Sequence, residues 1–254
     1  LKSGLPTIAI RDIAIQERES DLVLASFGRG FYVLDDYSAL RELSPELLEK
    51  EAHIFQNNKA SLLYIAKNPV GGRGKSNQGE GYYAAPNPKV GATFTYYIKD
   101  KLKTQKEIRQ AKEGKLLKEN KDMVYPTWEE LSSEDHEEKP YLLFVIKDSK
   151  GDVVRKIRTS PKSGLNRITW NFRMYTTSPI QLKTSEPGRY SSYDEGPLAL
   201  PGKYTVELHQ SLNGVISKLV DSTPFEVKAL NNQTLIDQDK EASMAFHKKV
   251  AELK

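Results

Sequence analysis

The feature that most constrains this chain is a series of short segments in which apolar and polar residues alternate, separated by tight-turn sequences. Such alternation, with a period of two residues, is typical of a β-strand that buries one face. The clearest example is segment 93–99, where large apolar residues occupy every second position. Turn sequences such as Ser-Lys-Gly-Asp at 149–152 and Asn213-Gly214 separate such segments, because Gly and Asn accept the positive φ of tight hairpins. The chain is therefore expected to be mainly β.

About eight such segments are predicted as strands of one antiparallel sandwich. They are residues 62–66, 93–99, 141–148, 152–158, 166–173, 203–211, 215–220 and 225–228. Their number and spacing favour an Ig-like or fibronectin-like β-sandwich over residues 61–230. Its expected core includes Ile168, Trp170 and Phe172 on one strand and Tyr204, Val206 and Leu208 on another. Trp170 is expected to be a packing anchor rather than a ligand platform.

Three stretches depart from the β pattern. Residues 38–60 are predicted as a helical connector, residues 100–139 as a charged helical insertion, and residues 231–254 as the start of a C-terminal helical segment. The insertion begins with a Lys-rich stretch and ends with the acidic run 134–138. Because acids are interspersed among the lysines, we expect a solvated helix rather than a nucleic-acid or membrane-surface binder.

The first 37 residues contain two or three short apolar strands. They are too few to close a core, because isolated strand pairs are marginal in water. We expect them to join a larger sheet, on the sandwich or on a neighbouring chain. The chain opens on Leu1 rather than Met, and we interpret it as a piece of a longer protein.

Composition excludes several kinds of chemistry. The chain has 254 residues, a formal net charge of +4 and no cysteine. Without cysteine it has no disulfide, no thiolate nucleophile and no Cys-ligated metal. The charge excess is too small to indicate a polyanion binder, and no apolar run is long enough to predict a membrane span.

Catalytic motifs are likewise missing from the sequence. The four histidines, at positions 53, 136, 209 and 247, do not form the paired spacing of a His-Glu-x-x-His zinc site. There is no Gly-x-Ser-x-Gly, and Gly74-Lys75-Ser76 lacks the upstream glycine of a phosphate-binding loop. We therefore predict no catalytic residue, no metal ligand and no cofactor in this chain.

One long loop between two predicted strands is the richest cluster of binding residues. Its candidates are Glu186, Arg189, Tyr190, Tyr193, Asp194 and Glu195. Tyrosines can stack on a sugar ring, an arginine can bind a carboxylate, and acids can bind hydroxyls or calcium. The alternative is a long polar surface loop. Asp35-Asp36 invites a similar reading, although a turn cap is the stronger expectation there.

Two stretches resemble a known family. The string 21–36, Asp-Leu-Val-Leu-Ala-Ser-Phe-Gly-Arg-Gly-Phe-Tyr-Val-Leu-Asp-Asp, resembles the last blade of a sortilin-like, BNR-type β-propeller in exported bacterial proteins, some labelled glycosyl hydrolases. Segments 147–155, 164–171 and 200–206 are similar to the Ig-like domain that follows such propellers and to that of flagellar hook-capping proteins. Asn171 departs from the Asp usual there.

The resemblance implies the C-terminal region of an exported protein, located in the periplasm, on the cell surface or outside the cell. Residues 1–37 would be the remnant of the last blade. The implied function is a non-catalytic accessory module that scaffolds the upstream propeller and contacts a polysaccharide or a partner protein. The alternative is a structural part of a glycoside hydrolase-like enzyme whose active site lies upstream, since the Ser-x-Asp-x-Gly-x-Thr-Trp repeat is absent here.

Overall fold

The computed structural model describes residues 5–28, 30–56, 59–63, 81, 85, 87–176, 196–230 and 239–252. In this part the chain is mainly β, as predicted. The strands are β1 Ile10–Gln16, β2 Asp21–Ser26, β3 Phe31–Leu34, β4 Ala52–Ile54, β5 Ser61–Leu63, β6 Ala92–Ile98, β7 Tyr141–Lys147, β8 Val153–Thr159, β9 Gly164–Trp170, β10 Gly202–Leu212 and β11 Val215–Ala229. The helices are α1 Ser38–Arg41, α2 Pro45–Glu49, α3 Gln105–Lys118, α4 Trp128–His136 and α5 Lys240–Glu252.

The chain divides into two compact units. The first consists of Leu1–Glu49 with Ala84–Pro88, and the second of Lys50–Tyr83 with Lys89–Lys254. The first unit contains an antiparallel sheet of order β1-β2-β3, followed by α1 and α2. Its buried apolar side chains are Leu24, Ala39 and Leu47.

The second unit is a sandwich of two sheets. One sheet has five strands in the order β5-β11-β10-β7-β8, and the other has three in the order β4-β6-β9. All pairs are antiparallel except β5 with β11. The buried apolar side chains of both sheets form one core, as the alternating pattern predicts.

An aromatic cluster joins the two sheets. The Trp170 ring on β9 lies 5.5 Å from Tyr204 and 6.1 Å from Phe225, both on the facing sheet. Trp170 is 1% exposed, so its predicted role as a packing anchor is confirmed. Its indole Nε1 donates to the Arg173 carbonyl at 2.8 Å, and the Tyr204 hydroxyl donates to the Leu200 carbonyl at 2.6 Å. The Tyr204 bond has the form of the tyrosine corner found in Ig-like sandwiches.

The structure differs from the prediction at the end of β9. The predicted strand 166–173 ends at Trp170, and Phe172 lies beyond it with a φ of 61°. A positive φ is unfavourable for a bulky residue and interrupts the strand geometry. Phe172 nevertheless stays in the core at 1% exposure.

Two further differences concern short features. Residues 215–220 and 225–228, predicted as separate strands, form the single strand β11. Pro224 lies opposite Thr205 on β10, and the other edge of β11 pairs with β5 only at Val227–Ala229, so that edge has no ladder partner at Pro224 among the described residues. Ala52–Ile54, inside the predicted helical connector, forms strand β4 against β6.

Candidate interaction surfaces

The N-terminal sheet carries apolar side chains on both faces. On one face, the register places Ile13 opposite Leu24 and Ile15 opposite Leu22. Leu24 is buried, but Ile13 and Ile15 are 59% and 55% exposed. Among the described residues β1 pairs only with β2, so its outer edge is open, and Ile13 and Ile15 on this edge strand are exposed.

The other face of the same sheet is also apolar. Val23 pairs with Val33, and Ala25 pairs with Phe31, so these four side chains share that face. Phe31 is 75% exposed and Val33 is 55% exposed. Antiparallel sheets ordinarily bury one face and expose the other to water. A sheet that is apolar on both faces is expected to have a covering partner on each face.

The acidic pair at the end of β3 takes part in turn formation. The Asp36 carboxylate accepts hydrogen bonds from the Ser38 backbone N at 3.2 Å and from the Ser38 hydroxyl at 2.6 Å. The Asp36 backbone N donates to the Asp21 carboxylate at 2.9 Å. These contacts are those of a local turn that leads into α1, as expected for this pair.

A buried carboxylate lies on the outer face of the five-stranded sheet. Glu207 on β10 is 5% exposed. Lys147 Nζ on β7 and Ser222 Oγ on β11 donate to its Oε1 at 2.8 and 2.9 Å. His209 Nε2 lies 3.1 Å from Oε2, and Lys218 Nζ lies 3.5 Å from Oε1. We call these five residues the Glu207 cluster.

The Glu207 cluster holds its carboxylate in the ionised form. Burial alone raises the pKa of Glu207, but hydrogen bonds from Lys147, Ser222 and His209 outweigh it and lower the pKa to about 2. A general acid or base must exchange its proton near the working pH. Near neutral pH this carboxylate stays charged, and it links three neighbouring strands.

Sequence reasoning missed the Glu207 cluster, although part of the signal was present. Along β10, Val206 and Leu208 face the core, which puts Glu207 and His209 on the opposite face. A carboxylate at such a position is either solvated or bonded to a partner on the adjacent strand. Naming Lys147 as that partner requires the β7–β10 register, and the sequence does not supply it.

The charged insertion folds as an antiparallel pair of helices. We call α3, residues 119–127 and α4 the helical hairpin. Each helix begins with a capping box, Thr104 with Glu107 on α3 and Thr127 with Glu130 on α4. The start of α3 lies beside the end of α4, because the Gln105 backbone N donates to Glu137 Oε2 at 2.7 Å.

One arginine holds the two helices of the hairpin together. Arg109 Nε and Nη2 donate to the two carboxylate oxygens of Glu134 at 2.6 and 2.7 Å, and Nη1 donates to Glu113 at 2.7 Å. Hydrogen bonding to Arg109 lowers the pKa of Glu134, and hydrogen bonding to Glu134 and Glu113 raises the pKa of Arg109. This bidentate pair links two helices that have no buried residue, in agreement with the predicted solvated helix.

Apolar side chains are exposed at the end of the hairpin where α3 connects to α4. Tyr125 is 85% exposed, Val124 87%, Trp128 82% and Met123 38%. We call these four residues the aromatic tip. The end of α3 and the start of α4 flank them, while the Arg109–Glu134 pair ties the hairpin together at its opposite end.

The predicted loop site lies outside the described residues. This applies to all six of its candidates, Glu186, Arg189, Tyr190, Tyr193, Asp194 and Glu195. In the described part, no group of three or more His, Asp or Glu side chains is placed to hold a metal ion. None of the helices there is both long and apolar enough to cross a membrane.

Comparisons with known proteins add no assignment. No family model, no curated protein and no solved structure matches this chain.

Proposed function

We propose that this chain is a non-catalytic interaction module at the C-terminal end of an exported β-propeller protein, and that its N-terminal sheet forms part of the last propeller blade. The observation that carries the proposal is the exposure of apolar side chains on both faces of that sheet, with Ile13 on one face and Phe31 on the other. A propeller blade has this requirement, because each blade is covered on both faces by its neighbours.

The open edges of the sheet support the same function. Strands β1 and β3 each pair only with β2 among the described residues. A three-stranded sheet with two open edges is an acceptor for a further strand, and propeller blades have four strands. The partner is thus the upstream propeller of the same parent chain. Residues 21–36 resemble the last blade of β-propellers in exported bacterial proteins, and this resemblance supports placing the parent protein outside the cytoplasm.

The proposed role of the sandwich is to support the propeller and to contact a polysaccharide or a partner protein. Among the described carboxylates of the sandwich, Glu207 has the most strongly shifted pKa, about 2. It accepts hydrogen bonds from Lys147 and Ser222, and His209 lies 3.1 Å away. That arrangement serves strand linkage better than proton transfer. We therefore expect no turnover by this chain alone.

The direct test supplies the upstream region as a separate polypeptide and measures binding by titration calorimetry. The test variant is Phe31→Ser/Val33→Ser in the N-terminal sheet. The matched control is Val215→Ser/Ile216→Ser, which changes two residues that are 69% and 53% exposed at the β10–β11 turn. We expect saturable binding that the test variant weakens by at least about tenfold and the control leaves unchanged.

Two results would contradict the proposal. One is the absence of binding between the upstream polypeptide and the wild-type chain. The other is equal weakening by the test variant and the control, which would show that the N-terminal sheet is not the surface in contact.

A further inference from the structure

The helical hairpin divides its charge between its two helices. Helix α3 carries five basic and two acidic side chains, a net charge of +3, whereas α4 carries four acidic side chains and no Lys or Arg, a net charge of −4. The Arg109 contacts with Glu113 and Glu134 use only part of this charge. The hairpin therefore presents a cationic side and an anionic side.

Several of these charges have no ion-pair partner within the described part of the chain. On α3 they include Lys112, Lys115 and Lys118, which are spaced three residues apart, so that each lies next to the following one on the helix surface. On α4 they include Glu129 and Asp135. Each group stays fully available to an external partner of opposite charge.

The aromatic tip adds the apolar part of an interface. Trp and Tyr side chains contribute about 150–250 Å² each when buried, and they dominate binding energy at protein interfaces. Tyr125 and Trp128 from two copies together would bury on the order of 600–1,000 Å². With Val124, Met123 and Leu117, which is itself 60% exposed, the total approaches the size of a standard specific interface.

The basic charge of α3 and the acidic charge of α4 together indicate which kind of partner fits the hairpin. A polyanion or an anionic membrane would be attracted by α3 and repelled by α4, and a polycation would meet the reverse. A second copy of this chain offers both signs, so that α3 of each copy can face α4 of the other around a twofold axis. Every favourable contact is then made twice.

We propose that the helical hairpin is a homodimerisation surface, with the aromatic tips buried together and the lysines of α3 paired with the acids of α4 of the second copy. This surface is independent of the N-terminal sheet, and loss of either interaction leaves the other measurable.

The first test measures mass against concentration by sedimentation equilibrium, together with tryptophan emission. The chain has two tryptophans, and Trp170 is buried at 1% exposure, so a blue shift on raising the concentration reports on Trp128. We expect a dimer and a blue shift, and we expect Tyr125→Ser/Trp128→Ser to weaken dimerisation by at least about tenfold. The control is again Val215→Ser/Ile216→Ser.

The second test exchanges the charges. One variant is Lys112→Glu/Lys115→Glu/Lys118→Glu and the other is Glu129→Lys/Asp135→Lys. We expect each to be monomeric alone, because like charges then face each other, and we expect an equimolar mixture to form a heterodimer. All these substitutions are at exposed positions that do not include Arg109, Glu113 or Glu134, and helix content by circular dichroism verifies folding.

A wild-type chain that stays monomeric at all concentrations would overturn the proposal. So would a dimer that survives the loss of Tyr125 and Trp128, or charge variants that do not associate when they are mixed.

Discussion

At the scale of single residues, the sandwich depends on polar groups whose partners lie on adjacent strands. Glu207 accepts hydrogen bonds from Lys147 and Ser222 on two different neighbouring strands. A buried carboxylate is costly unless it is paired, and removal of its charge leaves its cationic partners without compensation.

Replacement of this carboxylate should make stability depend less on pH. The pKa of Glu207 is about 2 in the folded chain against 4.5 for an unperturbed Glu, so its stabilisation is present above pH 4.5 and disappears as the pH falls toward 2. At neutral pH this stabilisation is roughly 3 kcal/mol. Urea denaturation of wild type and Glu207→Gln should give a difference that shrinks on acidification. A difference that is constant from neutral to acid pH would contradict this reading.

A second residue-scale prediction concerns the backbone contact between β9 and the start of β6. A Cβ at Gly91 would lie 2.1 Å from the Trp170 carbonyl oxygen, whereas a Cβ at Gly151 would meet no atom within 4 Å. Both glycines have positive φ, so both alanine variants carry the same kind of backbone strain. We expect Gly91→Ala to lower the thermal midpoint much more than Gly151→Ala, with a cost of about 3 kcal/mol or more. Equal midpoints would contradict the close packing.

At the scale of elements, long alternating segments were predictable and short ones were not. Strand β6 and its buried Phe94, Tyr96 and Ile98 follow directly from the period of two. Strand β4 has three residues, too few to show a period, and forms because β6 offers it an edge. Strand β9 ends just before Phe172, whose positive φ cannot be read from an alternating pattern.

The helical insertion was likewise predictable in part. Its helical character and charge were predictable from composition, and the capping boxes at Thr104 and Thr127 are readable as Thr-x-x-Glu. The bidentate pairing of Arg109 with Glu134 spans 25 residues and could not be read from either helix alone. The binding role of the six candidates between Glu186 and Glu195 stays a prediction, because these residues lie outside the described part.

The Arg109 pairing predicts how the hairpin responds to substitution. Arg109→Lys keeps the charge but loses the planar fork that binds both oxygens of Glu134, so it should behave like Arg109→Ala rather than like wild type. We expect faster hydrogen exchange at amides of α4 in both variants and unchanged exchange in β7 and β10. Wild-type protection of α4 in Arg109→Lys would show that charge alone holds the hairpin.

At the scale of the whole molecule, the second unit has a continuous core of its own, and the first has few buried apolar residues. Ile13, Phe31 and Val33 are exposed apolar side chains of the unit that has the smaller core, and a partner surface would cover them. This imbalance supports the proposal that the N-terminal sheet belongs to a larger propeller.

The most direct test of that proposal is hydrogen exchange of the backbone amides in β1–β3, compared between this chain and the same chain joined to the proposed upstream propeller. We predict that amides on the open edges of β1 and β3 become strongly protected on joining, while the amides of β7 and β10 stay as they are. Unchanged exchange in β1–β3 would contradict the proposal and leave the N-terminal sheet without a propeller role.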